Sequence, residues 1–161
     1  MSLNIELLYV RQNKIDRVID VIDDLCMDKA SYPQSDWALP SSYFPLLANT
    51  PKRKIAISTP HGGWIMLVES KEVIDFGLAQ EISTRLATTV LAVQISEATG
   101  SAGYAISIAG NIIESRFDED ASDPTRFISS VLEQLSIPMS PILFREAVQQ
   151  IKNGWTIKQI S

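Results

Sequence analysis

The sequence predicts an α+β fold built on a mixed, mainly antiparallel sheet of about six strands. Three observations carry that prediction. Short β-compatible apolar runs recur at residues 3–10, 54–59, 64–69, 89–96, 103–109 and 112–118. Apolar residues at helical spacing mark residues 14–26, 75–87 and the stretch after residue 123. The resulting order is β α β β α β β β α α, and its first six elements match the ferredoxin-like, split βαβ order. With 161 residues, the chain is read as a single domain, 1–161. A chain of this size buries about two-thirds of its extended surface, enough for a core without disulfides or metals.

Residues 3–10 are apolar and β-compatible and form the first predicted strand. The first helix follows. Ile15, Val18, Ile19, Ile22, Leu25 and Cys26 fall on one face, and Asp16, Asp20, Asp23 and Asp24 on the other. Cys26 therefore reads as a buried, inert thiol.

Residues 27–54 break the pattern. Four of the eight prolines (Pro33, Pro40, Pro45 and Pro51) lie there, which disfavours a regular helix or a central strand. The segment also carries Tyr32, Trp37, Tyr43 and Phe44, too apolar a set for a disordered linker. It reads as an ordered meander, either covering a sheet face or presenting a partner or ligand surface.

A hairpin follows, with Pro60-His61-Gly62-Gly63 as its reversal. Trp64-Ile65-Met66-Leu67-Val68 is apolar on both faces, the pattern of a central strand. The second helix buries Phe76, Ala79, Ile82 and Leu86, with Glu81 and Arg85 paired outside that stripe. Three strands come next. The last two are joined by Gly110-Asn111, a loop that favours a type II′ turn. Asp123-Pro124 is an N-cap with proline at N1, and Phe127, Ile128, Val131, Leu132 and Leu135 give that helix its buried face. Ser140-Pro141 repeats the start signal and Asn153-Gly154 supplies a stop, so residues 124–153 read as a helical hairpin. The apolar tail residues Trp155, Ile157 and Ile160 are expected to dock on the body.

Charge and motif content narrow the function classes. Fourteen basic and nineteen acidic residues give a net charge of −5, which opposes non-specific binding to nucleic acid or anionic membrane. The first 123 residues carry ten basic and seventeen acidic groups, net −7, and the rest four basic and two acidic, net +2. No run of 18 apolar residues spans a bilayer, and the N-terminus lacks the regions of a secretory signal, so the expected address is cytoplasmic. The aspartate face of the first helix offers too few converging ligands for a cation. The loop Asp118–Asp123 fails the EF-hand pattern, which needs glycine at its sixth position and glutamate at its twelfth. Gly100-Ser101-Ala102-Gly103 precedes a strand and so lacks the helix N-terminus a phosphate loop needs. His-Gly-Gly at 61–63 occurs without a Gly-x-Ser-x-Gly elbow, which argues against a serine triad. Pro51-Lys52-Arg53-Lys54 is too short a basic cluster for nucleic-acid binding.

No metal or cofactor is expected, and no catalytic residue is assigned. His61 is the one catalytic candidate, as the only side chain that ordinarily titrates near neutral pH. The expected binding surface comprises Tyr32, Trp37, Tyr43, Phe44, His61 and Trp64. The favoured reading is a small acidic, non-catalytic protein-interaction module, inhibitor-like or immunity-like, that binds a protein partner or self-associates. The alternative is a small-molecule-binding protein or enzyme with a pocket near Trp37, Tyr43, His61 and Trp64. An oligomeric structural protein is the third.

Overall fold

Seven strands form one sheet in the computed structural model, which describes residues 4–27, 53–69, 76–96 and 98–160. They are β1 (Asn4–Arg11), β2 (Arg53–Ile57), β3 (Trp64–Glu69), β4 (Thr89–Ser96), β5 (Ser101–Ile108), β6 (Asn111–Asp118) and β7 (Thr156–Ile160). Their order across the sheet is β6-β5-β4-β1-β3-β2-β7. The inner four, β4-β1-β3-β2, reproduce the split βαβ arrangement expected from the element order. Two corrections apply. The sheet has seven strands where about six were expected, and every described pairing is antiparallel, so it is not mixed. The extra strand is the tail itself. Thr156 and Ile157 are β-branched, and the tail pairs with β2 from Ile57↔Thr156 to Arg53↔Ile160.

The strands alternate between two buried faces. Ile5, Leu7 and Tyr9 of β1, Trp64, Met66 and Val68 of β3, and Leu91, Val93 and Ile95 of β4 share one face. Leu8 and Val10, Ile65 and Leu67, and Val90 and Ala92 share the other. Such strands carry apolar residues on both faces because neither face meets water. On the second face lie α1 (Ile15–Met27), through Val18, Val21 and Ile22, and α2 (Phe76–Leu86), through Leu78, Ala79, Ile82 and Leu86. Arg85 and Glu81 pair outside the stripe at 3.2 Å. The expectations for the side chains of Cys26, Leu25 and Phe76 fall outside the described residues.

The first face is covered by α3 (Pro124–Gln134) and the chain that follows it. Asp123 caps α3 by accepting from the Arg126 amide at 3.1 Å, and Ile128, Val131 and Leu132 are buried. The second C-terminal helix is shorter than its start and stop signals suggested. Its regular part, α4, is only Phe144–Val148, followed by a 3-10 turn over Gln149–Asn153. Leu143, just before α4, is extended with ψ of 154°. Ile142, Leu143 and Phe144 pack on the core there. Gly154, at φ 91°, ends the 3-10 turn in the left-handed region and releases the chain into β7.

Tyr9 ties the two layers of this half together. It is fully buried in the middle of β1, and its hydroxyl donates to the Met139 carbonyl at 3.0 Å. Burial pushes its pKa well above the ordinary tyrosine value. An unfolded tyrosine releases its proton near pH 10, whereas native Tyr9 retains it. Above that pH the native state holds more protons than the unfolded state, so stability falls as pH rises. Tyr9→Phe is expected to cost about 1–2 kcal/mol at pH 7, because it leaves the Met139 carbonyl unpaired. It is also expected to make the loss of stability above pH 10 shallower, with a residual slope from Tyr104, whose pKa is also raised. Urea unfolding at pH 7, 10 and 11 checks both effects.

Candidate functional site

The β5–β6 hairpin carries the exposed surface of the sheet. Ile108 pairs with Asn111, so the two loop residues are Ala109 and Gly110, at φ 47° and 89°. Both lie in the left-handed region, which makes the turn type I′ over 109–110 and corrects the expected type II′ turn at Gly110-Asn111. Asn111 already belongs to the ladder. The turn is anchored to the end of α2: the Gly110 amide donates to Ser83 Oγ at 3.0 Å, and Ser83 Oγ donates to the Thr88 carbonyl at 2.8 Å. A Cβ on Gly110 would collide with Thr84 Oγ1, so glycine is required for both space and backbone angle.

The hairpin's two strands have opposite characters. β5 is buried along Ser101–Ser107, whereas β6 is exposed along nearly its whole length. Ile112 is 48%, Ile113 59% and Phe117 57% exposed. β6 ends the sheet, and among the described residues β5 is its only strand neighbour. The register shifts by one residue after Ile106↔Glu114, since Ser107 faces Ile112. Ile113 is the extra residue of this β-bulge, which bends the strand near its turn. From Glu114 to Asp118 the ladder is regular.

That regular stretch separates two chemistries. Glu114, Arg116 and Asp118 stand opposite Ile106, Tyr104 and Ala102, on the α3 side. Arg116 lies 5.5 Å from the Phe127 ring centroid, and Phe127 is 5.8 Å from the Tyr104 ring. Burial first, and then the Glu114 carboxylate, raise the Tyr104 pKa, while Arg116 acts in the opposite sense. On the other face Phe117 lies across Gly103, where a Cβ would sit 2.7 Å from the ring. A glycine inside β5 makes room for an aromatic ring on its neighbour.

A cleft of about 670 Å³ opens beside this surface, at the end of the sheet where β1 and β5 stop and β3 and β4 start. Trp64, Ile106, Ile108, Ile113 and Leu135 supply its apolar wall, and Arg11, Thr89, Glu114, Gln134 and Ser136 its polar groups. This chemistry suits an amphipathic ligand with one or two polar groups.

The structure places only part of the surface expected from sequence. Tyr32, Trp37, Tyr43 and Phe44 lie outside the described residues. Trp64 is 4% exposed and belongs to the core while also lining the cleft. His61 is exposed at the hairpin tip. His61 and Trp64 exchange backbone hydrogen bonds at 2.8 and 3.1 Å, and Thr59 Oγ1 lies 3.4 Å from His61 Nε2. His61 itself does not line the cleft.

Two of the acidic candidates, besides the α3 cap Asp123, hold structural posts. Asp118 Oδ1 accepts from the Asp120 amide, and Asp23 pairs with Lys158 of β7 at 3.4 Å. Among the described residues, no three His, Cys, Asp or Glu side chains converge as metal ligands. No described helix is long and apolar enough to cross a membrane. The sequence predicts a strand at 112–118 with Ile113, Ser115 and Phe117 on one face and marks neither Glu114 nor Arg116, and the bulge at Ile113 interrupts that alternation. Alternation of Ile113, Ser115 and Phe117 reads the same in a half-buried strand and in an exposed edge strand.

No family model matches the chain, and neither a curated protein nor a solved structure is significantly similar to it.

Proposed function

We propose that this protein is an interaction module whose contact surface is the outer edge of β6. The observation that carries the reading is an eight-residue edge strand that holds Ile112, Ile113 and Phe117 each about half exposed. An edge of this length presents backbone donors and acceptors to an incoming strand, which is the basis of β-augmentation. Exposed apolar side chains add area to such a contact. Charges on edge strands usually guard against indiscriminate pairing. Here their signs alternate through Glu114, Arg116 and Asp118, so the guard admits a strand with complementary charges. That alternation does not favour a uniformly basic target, so an inhibitor-like role rests on the net charge of −5 alone.

The double variant Ile112→Lys/Phe117→Lys tests the reading. Both side chains are exposed, so folding stability is expected to change by less than about 1 kcal/mol. Binding to any protein partner, measured by calorimetry or sedimentation, is expected to weaken at least tenfold. Unchanged binding by a folded double variant would place the interaction surface elsewhere.

The cleft supports a second reading, a small-molecule-binding protein. Its volume of about 670 Å³ falls in the range of small-molecule sites. A thermal-shift screen of nucleotides and carboxylate metabolites checks it. A ligand at 100 times its Kd adds about 2.7 kcal/mol, which moves Tm by roughly 5–10 °C at this chain length. Arg11→Ala is expected to abolish the shift, and a screen without any shift counts against the reading.

A further inference from the structure

We propose that the partner of the β6 edge is a second copy of this chain, paired antiparallel with the first about a two-fold axis through Ser115. This rests on β6 being the interaction surface. It would join two seven-stranded sheets into one continuous sheet.

Strand register favours this partner. In an antiparallel pair, residues directly opposite each other point to the same face and share the same hydrogen-bonding direction. When a strand pairs with its own copy, each residue therefore meets one an even number of positions away, and the axis passes through a residue. An axis through Glu114 sets Glu114 against Glu114 of the other copy. An axis through Arg116 sets Arg116 against itself and Glu114 against Asp118. Like charges directly opposite each other oppose pairing. An axis through Phe117 leaves only Arg116–Asp118 overlapping within the strand, because β6 ends at Asp118. An axis through Ile113 falls on the bulge, where the ladder is irregular.

The axis through Ser115 avoids the like-charge conflicts and keeps Glu114–Arg116 within the regular ladder. Glu114 meets Arg116 twice, once on each side of the axis. Phe117, about half exposed, lies at the margin of this pairing, where the other copy's bulge at Ile113 interrupts the ladder. Ser115, small and exposed, meets itself at the centre. One segment supplies both halves of the complementarity, as an isologous two-fold interface requires. Arg116 already stands beside the Phe127 ring, so its guanidinium is partly ordered before pairing. The net charge of −5 on each copy opposes association at long range, but that repulsion is screened beyond about 8 Å at physiological salt.

Sedimentation velocity at 0.15 M salt, from 1 to 200 µM, tests the proposal with charge reversals. Wild type is expected to dimerise in this range. Glu114→Arg and Arg116→Glu are each expected to sediment as monomers with unchanged circular dichroism. An equimolar mixture of the two variants is expected to dimerise, because every Glu then faces an Arg, and so is the double reversal Glu114→Arg/Arg116→Glu on its own. A monomeric wild type at 200 µM overturns the second copy as partner while leaving the β6 edge open to another protein. A dimer that neither reversal nor Ile112→Lys/Phe117→Lys disturbs overturns the β6 reading as well. Two monomeric variants that stay monomeric on mixing overturn the register.

Discussion

Strand β1 is hydrogen-bonded on both sides, to β3 and β4, and buried on both faces. A strand in that position cannot be satisfied by one layer of helices. Leu8 and Val10 need α1 and α2 above them, and Ile5, Leu7 and Tyr9 need α3 and the chain beyond it below. Each fully buried aliphatic side chain contributes about 1.5–3 kcal/mol, so exposure of either face would exceed the net stability of an ordinary domain. The C-terminal third of the chain is thus a structural necessity of β1, and the Tyr9–Met139 hydrogen bond is where the dependence is most direct.

The same constraint governs the edges. A sheet buried on both faces still has two open margins, and this one treats them differently. On the β2 side the tail folds back as the five-residue β7, and Lys158 ties it to Asp23 of α1. A short edge strand carrying a lysine is a poor template for further pairing. On the other side β6 runs for eight residues with its apolar side chains in water. The anchored I′ turn and the bulge fix where its regular stretch begins, and the Glu114–Arg116 alternation fixes what can lie opposite it. Architecture and proposed function meet at this margin: with β7 short and lysine-bearing at the other edge, β6 is the longer described edge through which the sheet can be extended.

Much of this was legible in the residues. The two-sided apolar run of Trp64–Val68 identified a central strand, and Asp123-Pro124 located the start of α3 with its cap. The order of elements implied the inner β4-β1-β3-β2 arrangement. Other features depend on tertiary position. Thr156–Ile160 becomes a strand because β2 offers an edge beside it, and five residues carry too little periodicity to say so. Ala109 adopts a positive φ because Ser83 and Thr88 hold the turn, whereas alanine ordinarily argues against that conformation. The helical signal after Ser140 was overridden by packing of Ile142 and Leu143, which leaves a five-residue helix. The candidate surface was the least legible part. Aromatic density pointed to Trp37 and Tyr43, which lie outside the described residues, while at β6 the informative quantity is exposure, and alternation alone does not reveal it.

Both proposals depend on the outer edge of β6 being a pairing surface. Hydrogen exchange read by mass spectrometry at 1 and at 200 µM protein tests it most directly. Outward amides of an unpaired edge exchange through local fluctuation, and pairing protects them. Slower exchange is expected in peptides covering Ile112–Asp118 at the higher concentration, with peptides from β1 and β4 unchanged. Equal exchange across β6 at both concentrations, or protection gained at the β7 margin instead, would contradict it.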